Sequence, residues 1–149
     1  MNIKKLTLTV ALVFSLFLTS QAQDFSQSLG IRGGWGAEIS YQRSLKETTR
    51  FEGDLGLYGL GNNGFILTGV HQWLFGIQDG VNWYLGVGPQ LGILNSTLGI
   101  GIAGQIGIEY NIPSVPLQIS LDYRPSWFVV PSNYPFEPYG VGLGIRYRF

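Results

Sequence analysis

The feature that most constrains this chain is a two-residue alternation of side chains, which is clearest from Leu98 to Ile112. Even positions there carry almost only isoleucine, leucine and tyrosine, whereas odd positions carry glycine, alanine and polar residues such as Gln105 and Glu109. A helical face recurs about every 3.6 residues and cannot collect this pattern, but a strand sends successive side chains to opposite sides. The stretch therefore predicts one long β-strand.

The same alternation returns along most of the chain, in seven segments separated by clusters of Gly, Asn, Asp and Pro. Only in Gly64–Phe75 do large apolar residues occupy both the even and the odd positions. Because bacterial single-chain barrels have an even strand number, we interpret Gly33-Gly34-Trp35 as a hairpin that splits the first segment into Ser26–Arg32 and Gly36–Leu45. The sequence thus predicts an all-β fold, an eight-stranded antiparallel up-and-down transmembrane β-barrel.

Residues 1–22 have the pattern of a secretory signal peptide. Lys4 and Lys5 precede an apolar run, and Ser20-Gln21-Ala22 provides a small-x-small cleavage site. We therefore expect residues 23–149 to form one exported barrel domain. The chain has no cysteine, which excludes disulfides and thiolate metal sites.

The composition indicates an apolar exterior. Charged residues make up 12% of the chain and aromatic residues 14%, whereas soluble domains carry about 25% charged residues. The aromatic residues that share alternate positions with the large apolar side chains cluster near the strand ends, which is typical of the two aromatic belts of a membrane barrel. Removal of the leader lysines leaves a small negative net charge, so we expect outer-membrane lipids as partners and no nucleic acid. We expect no metal, no cofactor and a monomer.

The charged residues of the predicted strands share the face opposite to the large apolar side chains. An eight-stranded barrel is only wide enough inside to be filled by side chains, and buried charges are tolerable only when paired. We therefore predict a structural charge network in the lumen, with Asp122 opposite Arg146; a gated ion or solute path is the alternative. The members are Arg32, Glu38, Glu52, Asp54, Glu109, Asp122, Arg124, Arg146 and Arg148.

His71 is the only histidine and could serve as a base in an outer-membrane acyltransferase or lipid hydrolase. Its parity, however, places it with Trp73 and Phe75 on the lipid side, so we expect a structural role and no catalytic residue.

A soluble ligand-binding barrel such as a lipocalin is a third interpretation of the whole chain. It requires an apolar interior, the reverse of what Glu109 and Asp122 imply.

The mature chain resembles the small eight-stranded outer-membrane barrels of Bacteroidetes-type bacteria and, more distantly, outer membrane protein X and the barrel half of OmpA. The resemblance rests on Trp35 to Tyr41, on Ile119 to Pro125 and on the C-terminal Gly144-x-x-Tyr147-x-Phe149. That ending is similar to the signal read by the barrel-assembly machinery, except that Gly142 replaces a usual polar residue.

The resemblance implies a non-enzymatic barrel in the outer membrane of a Gram-negative bacterium, with a structural or surface-interaction role. Loops carry function on such scaffolds. The longest predicted outer loop, residues 130–138, offers Tyr134, Phe136 and Glu137 as candidates for contact with a partner.

Overall fold

The computed structural model describes residues 25–34, 36–58, 64–94, 96–130 and 140–149. The predicted signal peptide, Trp35 and most of the longest predicted loop lie outside these ranges. The described residues form nine strands. They are β1 (Gln27–Gly34), β2 (Ala37–Lys46), β3 (Thr49–Tyr58), β4 (Gly64–Gln78), β5 (Val81–Leu94), β6 (Thr97–Asn111), β7 (Leu117–Tyr123), β8 (Ser126–Val130) and β9 (Val141–Arg148).

The strands close into an antiparallel barrel. Each strand from β1 to β6 pairs with the next, β7 pairs with β9, and β9 returns to β1. Strands β7 and β8 both lie against β6, one after the other, and form a single wall. The nine strands therefore make the eight walls that the sequence predicts.

The seventh wall is interrupted at Arg124-Pro125, where the sequence predicts continuous alternation. Proline has no amide hydrogen to donate to a ladder. Its carbonyl nonetheless accepts a hydrogen bond from the amide of Gly104 at 3.0 Å, and the amide of Arg124 donates to the carbonyl of Gly140 at 2.9 Å. The interruption therefore leaves the wall attached on both sides.

The predicted first hairpin is confirmed, but its position needs a correction. Gly33 and Gly34 belong to β1, and Gly33 pairs with Ala37, so the chain reverses after Gly34. Gly34 also pairs with Gly142 on β9, and a Cβ at position 34 would collide with the carbonyl oxygen of Val141. Gly34 thus serves close contact with β9, not the turn itself.

The weak alternation of β4 has a packing cause. Ile66 and Val70 point into the barrel and are almost completely buried. Each fills space over a glycine of β5: a Cβ on Gly92 would lie 2.9 Å from Cγ1 of Ile66, and a Cβ on Gly86 would lie 2.5 Å from Cγ1 of Val70. Large apolar residues therefore occur on both faces of this strand.

The barrel has an inverted polarity. Outward positions carry exposed apolar side chains, including Ile31 at 65%, Leu57 at 62% and Trp127 at 62%, while inward positions carry buried arginines, carboxylates and glutamines. Within the described ranges, no helix is long and apolar enough to cross a membrane. The core of this fold is thus its polar lumen.

The two ends of the barrel differ. The termini end carries the start of β1, the end of β9 and the turns that follow β2, β4 and β6; the loop end carries the other connections. Outward aromatics lie towards the termini end, where Phe75 stacks on Trp83 with ring centroids 4.4 Å apart. At the loop end Phe65 and Trp127 are exposed. This distribution matches the two expected belts over the described residues.

Candidate functional site: a charged cluster inside the barrel

Inward strand positions bring most of the predicted lumen charges together. Arg32 lies on β1, Glu38 on β2, Asp122 on β7 and Arg146 on β9. Eight of the nine predicted residues are at most 5% exposed, namely Arg32, Glu38, Glu52, Asp54, Glu109, Asp122, Arg124 and Arg146. Arg148 is the exception, since it is half-buried at the termini end. The strand alternation alone accounts for this gathering, because every second side chain faces inward.

Arg32 and Asp122 form the first unit of the cluster. Nε of Arg32 donates to both carboxylate oxygens of Asp122 at 3.0 and 3.1 Å, and Nη2 donates to Oδ1 at 2.5 Å. Nη1 reaches Oε2 of Glu38 at 3.2 Å, and Nη2 also donates to the carbonyl of Gly140 at 2.8 Å. This fork geometry suits a planar guanidinium and is among the strongest hydrogen-bonded ion pairs.

The expected pairing of Asp122 with Arg146 is wrong. The register places Asp122 opposite Gly142 and Arg146 opposite Gln118. Gly142 leaves the space that the Arg32 guanidinium occupies, because a Cβ at position 142 would lie 2.5 Å from Nη2 of Arg32. The departure from the usual C-terminal signal at this position therefore has a packing reason.

Arg124 and Arg146 connect walls that are not neighbours in the barrel. Arg124 forms ion pairs with Glu38 and Asp54, and its Nη1 lies 3.9 Å from Oε1 of Glu52. Arg146 pairs with Oε2 of Glu52 at 3.0 Å and donates to the hydroxyls of two serines, Ser40 at 2.9 Å and Ser120 at 2.7 Å. Each guanidinium thus ties β2 and β3 to a wall that does not pair with either of them.

Arg50 is a member that the sequence interpretation missed. It is absent from the predicted lumen charges, although β3 begins at Thr49 and turns Arg50 inward. Arg50 shares the parity of Glu52 and Asp54, which is the signal that could have found it. Its Nη1 lies 2.6 Å from Oε2 of Glu109, and its guanidinium carbon lies 4.9 Å from the ring centre of Tyr84.

Glutamine side chains complete the network around Glu52. Gln42 donates to Oε2 of Glu52 at 2.5 Å and Gln105 to Oε1 at 2.9 Å, while Gln72 donates to Gln105 at 2.7 Å. With Arg146, three side chains donate directly to this one carboxylate. Satisfied polar networks of this kind hold a core rigidly. The arrangement pairs charges across the barrel.

His71 lies away from the cluster, on the outer face. It is half-exposed, and its ring meets Trp73 edge-on with centroids 4.8 Å apart. Its register partners are Phe51 and Val87, neither of which can assist proton transfer. Within the ranges that the structure describes, no group of three or more metal-ligating side chains could hold a metal ion.

The residues of the C-terminal pattern lie on or just after β9. Gly144 is buried beneath the network, and a Cβ there would lie 2.6 Å from Nη1 of Arg146. The rings of Tyr147 and Phe149 stack with centroids 6.4 Å apart. Tyr134, Phe136 and Glu137, the expected partner-contact residues, lie outside the described residues.

Comparison with known proteins identifies similarity in fold alone. No family model matches the chain, and neither does any curated protein. The crystal structure of the N-terminal β-barrel domain of Pseudomonas aeruginosa OprF is similar, with a TM-score of 0.64, 13% identity and coverage of 83% of this chain and 95% of that one. A structure from the de novo design of transmembrane β-barrels is also similar, with a TM-score of 0.62, 13% identity and coverage of 87% and 100%.

Proposed function

We propose that this chain is a membrane-spanning barrel of the Gram-negative outer membrane with a structural role in the envelope. The observation that carries the proposal is the inverted polarity: apolar side chains cover the outside and ion pairs fill the inside. In water this arrangement would expose the whole apolar surface, whereas in a bilayer it satisfies both faces. The lengths of β4, β5 and β6, at 15, 14 and 15 residues, also exceed the about 9–11 needed for a tilted crossing.

The structural, non-enzymatic role is supported by the state of the polar groups. The lumen carboxylates are engaged by arginines and amides, and His71 has aromatic and aliphatic neighbours on the outer face. Catalytic groups require a partner within hydrogen-bond reach. The charge network is therefore assigned to stability, in a barrel whose interior is closed.

Export and assembly follow from the same proposal. Residues 1–22 act as a cleaved signal peptide, and the ending with Gly144, Tyr147 and Phe149 is read by the barrel-assembly machinery. Membership of the Bacteroidetes-type group of small barrels is part of the proposal. Tyr134, Phe136 and Glu137 are its candidate contacts for a surface partner, and outer-membrane lipids surround the monomeric barrel.

Cell fractionation with gel analysis tests the location. We expect the protein in the outer-membrane fraction and a change in gel migration when the sample is boiled, because a folded barrel resists detergent until heated. Recovery in the soluble periplasm, without a shift on boiling, would disprove the proposal. A separate assay of phospholipid hydrolysis and acyl transfer tests the non-enzymatic role; activity that His71→Ala abolishes would overturn it.

A further inference from the structure

The termini end of the barrel contains a polar cavity that the charge network does not fill. Its volume is about 120 Å³, and its lining includes Lys46, Glu47, Arg50, Glu109 and Arg148. A single buried water requires about 10–15 Å³. The cavity is therefore large enough for a polyatomic solute of a few heavy atoms.

The acid at the base of this cavity is already compensated. Oε1 of Glu109 accepts hydrogen bonds from Asn82 at 3.1 Å and from Asn111 at 3.2 Å, and Oε2 lies 2.6 Å from Nη1 of Arg50. Glu109 is thus ion-paired with Arg50, although its Oε2 accepts no hydrogen bond among the described residues. Of the remaining lining charges, two cations, Lys46 and Arg148, face one acid, Glu47.

Two guanidinium nitrogens of the lining residues lack an acceptor. Nη2 of Arg50 and Nε of Arg148 have no hydrogen-bond partner among the described residues. Arg50 is 5% exposed, so this N–H group is removed from water without compensation. Buried donors without acceptors are rare because they are costly. An oxygen-rich anion would supply the missing acceptors.

We propose that this cavity binds a phosphate-type oxyanion between Arg50 and Arg148. Because Nη2 of Arg50 and Nε of Arg148 are both shielded from bulk water, a side chain must move before the anion can be bound. We assign this movement to Arg148, which is only half-buried and can turn towards the cavity. Arg148 stacks over the ring of Phe25 at 4.5 Å, and this contact is lost in the turn. Arginine suits the task because its planar fork matches the spacing of phosphate oxygens.

Titration calorimetry with inorganic phosphate tests the site on the full mature chain, folded in a nonionic detergent without phosphate and at constant ionic strength. We expect saturable binding that Arg148→Gln weakens at least about tenfold, the effect of one charge-assisted hydrogen bond. Arg43→Gln is the matched control, because Arg43 is exposed on β2 towards the same end and outside the cavity lining. It removes the same charge and should change affinity less than about twofold.

A second measurement separates loss of the site from loss of the fold. The Nε–H resonance of Arg148, assigned with Arg148→Lys, should shift on phosphate addition while heat-modifiable migration remains unchanged. Titration with a short-chain phosphatidic acid below its micellar concentration distinguishes the source of the phosphate group. Binding of free phosphate indicates an aqueous anion, whereas binding of the lipid alone indicates a lipid headgroup. No saturable binding of either probe, or equal weakening by Arg43→Gln, would overturn the proposal.

Discussion

Gly142 occupies a position where any side chain would meet the Arg32 guanidinium of the Arg32–Asp122 ion pair. The Arg32 guanidinium lies over it, held by Asp122, by Glu38 and by the carbonyl of Gly140. Because three partners fix this guanidinium, it cannot move aside without loss of hydrogen bonds. Glycine at position 142 is therefore required to accommodate the side chain of Arg32, which lies on the neighbouring strand β1.

Replacement of Gly142 by alanine should lower the free energy of unfolding by about 2 kcal/mol, through overpacking and a displaced Arg32. Urea unfolding in lipid vesicles measures the change. Gly33→Ala is the control, because a Cβ at position 33 has no heavy atom within 4 Å, and should alter stability by less than about 0.5 kcal/mol. Equal effects of the two substitutions would contradict this account of Gly142.

Arg124 is expected to be the most sensitive arginine of the cluster, since it pairs with both Glu38 and Asp54 and lies near Glu52. Arg124→Met should destabilise the barrel by about 3–5 kcal/mol, because it leaves the buried Asp54 carboxylate without a counter-charge and Glu38 with Arg32 alone. Arg43→Met on the outer side should change stability little. The triple variant Arg124→Met, Glu38→Gln, Asp54→Asn should recover most of the loss; failure to recover would assign the effect to packing instead of charge.

At the scale of the strand, the two-residue alternation predicted which face each residue occupies, and it did so best in β6 and β9. It could not predict the register between neighbours, because a shift of two residues preserves every face. Asp122 was for this reason matched with Arg146 when its partner across the lumen is Arg32. Nor does alternation report where a proline interrupts a wall, as at Pro125.

The outer face of β6 provides a test of the membrane environment within one strand. Ile106 lies near the middle of β6 and Leu98 near its loop end, and both are exposed. Ile106→Lys should destabilise the barrel in vesicles by about 2–4 kcal/mol, and Leu98→Lys by about 0–1 kcal/mol, because the cost of a lysine depends on its depth. Equal, small losses would show that the face does not contact a hydrocarbon layer.

At the scale of the whole molecule, the closed barrel of eight walls was predicted from the sequence, whereas the partners inside the lumen were not. Parity assigns Glu52 to the interior but does not reveal that Arg146, Gln42 and Gln105 meet on it. Those contacts join residues up to 94 positions apart and depend on the axial offset of every wall. Strand ends were the other limit, since Arg50, the second residue of β3, was not among the predicted lumen charges.

The packed interior leads to a prediction about conduction. Over the described residues, Tyr84, Gln72, Glu52 and Arg146 are fully buried inside the barrel, and eight strands leave room only for such side chains. An ion crossing the lumen would have to displace paired charges that lie in a low-dielectric interior. We therefore expect no steady nanosiemens conductance when the folded chain is inserted into planar bilayers. A boiled sample controls for contaminating pores, and stable nanosiemens steps from the folded sample alone would establish an open path.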